Sequence, residues 1–131
     1  MIGLDTNILV RYFAQDDVKQ CVLVNRCIDG LSKGAPGFVS TVTLCELVWV
    51  LEDVYAVAKP SMLGILRQLL EADQLVIEHK PAVWGALGEF SKASLDFGDA
   101  MIAQLGKTSG CTRTLTFNKR AAKTPEFQLL K

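Results

Sequence analysis

Hydrophobic and polar positions along the chain change period repeatedly, and each change marks an element. Met1 to Asp5 is a short apolar run closed by an acid, the pattern of a buried strand. Asn7 to Phe13 then reads as a helical turn with Ile8, Leu9, Tyr12 and Phe13 inward. Asp16 and Asp17 cap a longer helix whose Val18, Cys21, Val22, Ile28 and Leu31 recur at helical spacing, until Gly30, Gly34 and Pro36 break it. Gly37 to Ser40 is a second strand. Thr41 is placed to accept the free amides of a helix running through Val42, Cys45, Trp49 and Leu51 to about Tyr55.

Pro60 and Ser61 open the next helix, with Met62, Ile65, Leu66, Leu69 and Leu70 on one side, and Leu75 to Glu78 forms a third strand. Pro81 fits the first turn of a helix carrying Val83, Trp84, Leu87 and Phe90, because its missing N–H costs nothing there. A helix from about Asp99 to Lys107 is stopped by Gly110. Thr112 to Phe117 gives a fourth strand, and a helical turn and the strand Phe127 to Leu130 complete the pattern. Strands separated by helices predict an α/β fold with a mostly parallel sheet covered on both faces.

Length bounds this picture to one domain spanning residues 1–131. Half of the residues are hydrophobic and the mean hydropathy is +0.25, which points to a full core or an apolar surface kept for a partner, and so to self-association. The longest apolar run, Val42 to Leu51, is half a bilayer span and holds Glu46, so it is no transmembrane helix. With no signal-peptide pattern at the N-terminus, a cytoplasmic location is expected. Cys21, Cys27, Cys45 and Cys111 lack C-x-x-C spacing and read as reduced core thiols, and with a single histidine, His79, no zinc site can be assembled.

The 14 basic and 14 acidic residues cancel, so global charge announces no nucleic acid. Local clustering changes this: Arg113 precedes Asn118, Lys119, Arg120 and Lys123 follow it, and Arg11 lies soon after Asp5. For any single one of these charges a solvated face is the ordinary explanation.

Four positions stand out: Asp5, Asp99 and Asn118, where a strand ends or a helix opens, and Glu46 inside an otherwise apolar helix. Ligands in open parallel sheets bind beyond the carboxyl ends of the strands, where Asp5 and Asn118 fall. Each has a structural explanation as well. Asp5 is a candidate helix cap before Thr6 and Asn7, Asp96 caps the Asp99 helix, and Asn118 is a candidate N-cap. Glu46 is harder to explain, since its neighbours leave it no polar face and a lone buried carboxylate needs a positive partner. Arg, Lys or a divalent ion serves. Read together, the oxygen donors suit Mg²⁺ or Mn²⁺, which support phosphoryl transfer by polarising phosphate and activating water.

Met1-Ile2-Gly3-Leu4-Asp5-Thr6-Asn7-Ile8-Leu9-Val10-Arg11-Tyr12 resembles the opening of PIN-domain ribonucleases of the VapC toxin type. The stretch from Ser40 through Glu46 to Leu51, Asp96-Phe97-Gly98-Asp99-Ala100-Met101-Ile102-Ala103, and Thr116-Phe117-Asn118-Lys119 resemble that family's other blocks in order and spacing. The resemblance covers the whole chain. It implies a PIN-like three-layer sandwich, Mg²⁺- or Mn²⁺-dependent endoribonuclease activity on RNA, a homodimer, and neutralisation by a cognate VapB-type antitoxin. By position, Asp5, Glu46 and Asp99 match the acidic metal ligands and Asp96 a frequent extra acid. Thr116 matches a hydroxyl beside the site, and Thr6 and Asn7 are accessory.

Asn118 departs from the pattern, which has Asp there. An amide keeps one acceptor oxygen and loses a unit of charge, so a weakened or single-metal site is expected. Two other readings remain: a catalytically silent PIN module that binds RNA or antitoxin, and a haloacid-dehalogenase-type phosphatase with Asp5 as nucleophile. The latter wants a second Asp where this chain has Asn7.

Overall fold

Every strand pairing in the structure, a computed structural model describing residues 1–92 and 95–131, is parallel. The elements follow the predicted α/β alternation. Contacts divide the chain into two compact units, Met1–Glu78 and His79–Lys131.

In the first unit, β1 (Ile2–Gly3), β2 (Gly37–Val39) and β3 (Leu75–Ile77) form a sheet in the order β1-β2-β3. Parallel neighbours need long crossovers, supplied here by helices. Between β1 and β2 run α1 (Thr6–Ala14) and α2 (Val18–Asp29), and between β2 and β3 run α3 (Thr41–Asp53) and α4 (Lys59–Glu71). The register sets Ile2 beside Gly37 and Gly37 beside Leu75. Val39, Leu9, Leu44, Leu47, Met62 and Leu66 are almost wholly buried and form the centre of this unit's core.

The second unit holds α5 (Lys80–Lys92), α6 (Phe97–Thr108), β4 (Thr114–Thr116) and β5 (Phe127–Leu129), with a 3₁₀ turn at Ala121–Lys123 between the two strands. α5 and α6 pack closely, with Phe90 and Phe97 meeting edge to face at a centroid separation of 6.0 Å. β4 and β5 form a two-stranded sheet of their own.

Several sequence expectations shift by a face or a residue. Ser40, and not Thr41, caps α3: its hydroxyl accepts the Thr43 amide at 3.1 Å. The Thr41 amide and hydroxyl donate instead to Glu78 at 2.9 and 3.1 Å, tying the end of β3 to the start of α3. α2 buries Cys21, Val24 and Ile28 and leaves Val18 and Val22 in solvent. Of the four cysteines only Cys21 is in the core; Cys27 and Cys111 are exposed and Cys45 is half-buried. The apolar richness of these helices lies on both faces, so periodicity alone could not choose the inward one. α6 begins at Phe97, two residues earlier than predicted, because Asp96 is its cap. Among the described residues no helix is long and apolar enough to cross a membrane.

Gly37 shows how tightly the first sheet is covered. A Cβ there would stand 2.9 Å from the Leu31 and Leu4 methyls, in the middle strand of the sheet, whereas a Cβ at Gly64 in α4 would meet nothing within 4 Å. Gly37→Ala is therefore expected to cost about 1–3 kcal/mol of stability through overpacking. Gly64→Ala should gain up to ~1 kcal/mol through helix propensity. Urea denaturation of the two variants checks both signs.

Candidate metal centre

In the first unit the acids are organised around Thr6. Asp5 has extended backbone and caps α1, its carboxylate accepting the Thr6 amide at 2.7 Å. The Thr6 side chain is buried, and its hydroxyl donates to the Glu46 carboxylate at 3.4 Å, bridging α1 to α3. One threonine, through its amide and its hydroxyl, thus links two carboxylates that are 41 positions apart in sequence. Asn7, beside them, is exposed and lines a different feature described below.

Glu46 is exposed, which corrects the expectation of a buried carboxylate inside an apolar helix. α3 buries Thr43, Leu44, Leu47, Val48 and Leu51, and Glu46 shares the opposite face with Val42 and Trp49, 66% and 63% exposed. Two of the apolar neighbours that made the position look interior, Val42 and Trp49, are themselves in solvent. Desolvation therefore does not force a cation onto Glu46; its bond to Thr6 is what fixes it. Glu78, which holds the N-terminus of α3 in place, went unnoticed in the sequence because a single acid at a strand end carries no periodic signal.

The second unit supplies another acidic pair. Asp96 caps α6 by accepting the Asp99 amide at 2.7 Å, and Asp99 lies in the first helical turn, where negative charge suits the helix dipole. Asp99 is half-buried. Burial, then the charge of Asp96 and a hydrogen bond between the two carboxyl groups, push its carboxyl above the ordinary Asp range.

Asn118 behaves as a cap. Its side-chain oxygen accepts the amides of Arg120 and Ala121 at 2.9 and 3.2 Å, and its own amide donates to the Thr116 hydroxyl at 3.0 Å. Both lone pairs of the only acceptor atom are spent on backbone. Nothing of that oxygen is left for a cation.

The donor chemistry fits a hard divalent ion: carboxylates and hydroxyls, without thiolate or imidazole. Among the described residues no lysine or arginine forms an ion pair with Asp5, Glu46, Asp96 or Asp99. Among the described residues no three acid, histidine or cysteine side chains are gathered into a metal-holding group.

A second feature of the first unit is an open apolar groove between α1 and α2, about 230 Å³, lined by Asn7, Ile8, Arg11, Gln20, Leu23 and Val24. Arg11 is held at its edge by Gln20, Asp16 and the Tyr55 hydroxyl, the last at 3.0 Å. The Tyr55 hydrogen bond, with Arg11 close by, keeps the Asp16 carboxyl below its ordinary range.

The PIN domain family model matches residues 2–126 of the chain. A VapC ribonuclease from Aquifex aeolicus (strain VF5) is 26% identical over 121 residues, covering 92% of this chain and 89% of that protein. No solved structure matches. With a parallel α/β architecture, acids at the openings of α1 and α6, and a family match over nearly its whole length, this chain belongs to the PIN domain family.

Proposed function

We propose that the protein is a metal-dependent endoribonuclease of the VapC toxin type. The observation that carries this reading is that four carboxylates, three of them fixed by an amide or hydroxyl, are left without a basic partner among the described residues. Asp5, Glu46, Asp96 and Asp99 are the proposed donors to Mg²⁺ or Mn²⁺, which when bound would polarise the phosphate and make a water nucleophilic. The protein's own part is orientation. The Asp5 cap and the Thr6 bridge hold two carboxylates in one arrangement.

Asn118 sets the strength of the activity. Its oxygen is engaged by two backbone amides, which favours a second reading, a PIN module that binds RNA or its antitoxin without cutting. Asp at the same position would cap with one oxygen and offer the other. The proposed partner is a VapB-type antitoxin, whose apolar segment would cover the α1–α2 groove, where Leu23 is 63% exposed. A homodimer is proposed from the exposed Val42, Trp49 and Val54.

Two experiments test the site. An added unit charge about 4 Å from a divalent ion is worth roughly 2 kcal/mol even in water. Asn118→Asp is therefore expected to tighten Mn²⁺ binding about 10- to 30-fold and to raise RNA cleavage. Unchanged calorimetry and cleavage would leave position 118 as a cap alone.

The second experiment uses pH. The folded Asp99 carboxyl titrates above its unfolded value, so the folded state holds more protons in that window and loses stability as pH rises through it. Asp99→Asn is expected to raise the melting temperature at pH 7, to leave it unchanged near pH 3, and to abolish Mn²⁺ binding. A melting gain at both pH values would show that charge at Asp99 is not the cause.

A further inference from the structure

The second unit exposes an aromatic side chain next to its cap loop for which the fold has no use. Along β4, Thr114 and Thr116 are half-buried while Leu115 is 54% exposed, and Phe117, two residues on and so on the same face, is 76% exposed. The partner strand continues that face: Leu115 pairs with Gln128, and the Leu130 amide donates to the Thr116 carbonyl at 2.8 Å, which extends the ladder beyond β5. The opposite face holds the buried Phe127. One side of the small sheet therefore belongs to the core, and the other presents Phe117 to solvent.

Charge identifies what this face suits. Residues 109–131 contain Arg113, Lys119, Arg120, Lys123 and Lys131 against the single acid Glu126, in a chain whose net charge is zero. Among the described residues none of these cations has an acidic partner. Lys119 and Arg120 lie two and three residues after Phe117, and the Asn118 cap between them fixes the loop they share. An aromatic ring beside unpaired cations binds the two parts of an unpaired nucleotide: the base stacks on the ring and the flanking phosphates meet the charges. A duplex keeps its base faces stacked inside and offers phosphates, 2′-hydroxyls and base edges, none of which can lie flat on a ring.

We infer that Phe117 is a stacking platform for an unpaired base of RNA, with Lys119 and Arg120 holding the adjacent phosphates. The inference rests on the ribonuclease reading and names the side chains by which the protein grips its RNA. It also gives Asn118 a use as it stands, since the cap holds the platform in shape.

Fluorescence anisotropy with a labelled 12-nucleotide single strand and a duplex of equal length, in EDTA so that neither is cut, tests it. Phe117→Ala is expected to weaken single-strand binding between about 5- and 100-fold, the range for losing one stacked base, and to leave duplex binding unchanged. Phe117→Trp should retain binding, with indole emission beyond that of the parent chain quenched by the single strand and not by the duplex. Being exposed, neither change should move the melting temperature. Equal single-strand affinity in Phe117→Ala, or no quenching in Phe117→Trp, overturns the inference. So does an equal loss for both RNAs, or a change in sedimentation that marks the face as a protein contact. Stacking that persists in a chain unable to cleave RNA with Mn²⁺ would sink the nuclease reading alone. Cleavage with an unchanged KM in Phe117→Ala would sink the stacking alone.

Discussion

Carboxylates held close together by backbone amides are the constraint on which the rest of this molecule depends. A helix N-terminus has unsatisfied N–H groups and a positive dipole end, so it can anchor an acid that would otherwise be repelled by its neighbour. Asp5 uses the first amide of α1, and Asp96 uses the Asp99 amide of α6. The capping explanation and the metal-site explanation are therefore not rivals. The cap fixes one carboxylate oxygen and leaves the other available. The cost appears at Asp99, whose carboxyl is pushed upward by burial and by Asp96.

The elements around these acids serve their orientation. β1 delivers Asp5 at its end, and α3 carries Glu46 to the Thr6 hydroxyl. α3 is in turn seated by its Ser40 cap and by Glu78 from the end of β3. A single buried threonine does what a larger network would do elsewhere. Asn118 illustrates the complementary case: an amide has only one acceptor atom, so capping consumes the group that an aspartate would share between backbone and cation.

Much of this was legible in the sequence, and the failures share a cause. Strand positions, the Asp96 cap and the order of elements follow from periodicity and cap chemistry, which are local. Glu46 misled because Val42 and Trp49 were taken as core, although they share its exposed face. Hydrophobicity marks a residue as worth covering without saying whether this chain or a partner covers it. The same ambiguity placed Val18 and Val22 inward and Cys27 and Cys111 in the core. Glu78 escaped notice for a different reason: it acts through Thr41, a neighbour that only the fold supplies.

The central proposal is that carboxylates seated on Thr6 serve one cation, and a double-mutant cycle on Mn²⁺ binding tests it most directly. Calorimetric titration of the parent chain, Asp5→Asn, Glu46→Gln and the double variant gives the coupling between the two positions. If both carboxylates attract the same ion, each single change should remove most of the affinity and the double change should cost far less than their sum. Fully additive losses, or a single variant that binds Mn²⁺ like the parent, would contradict the account.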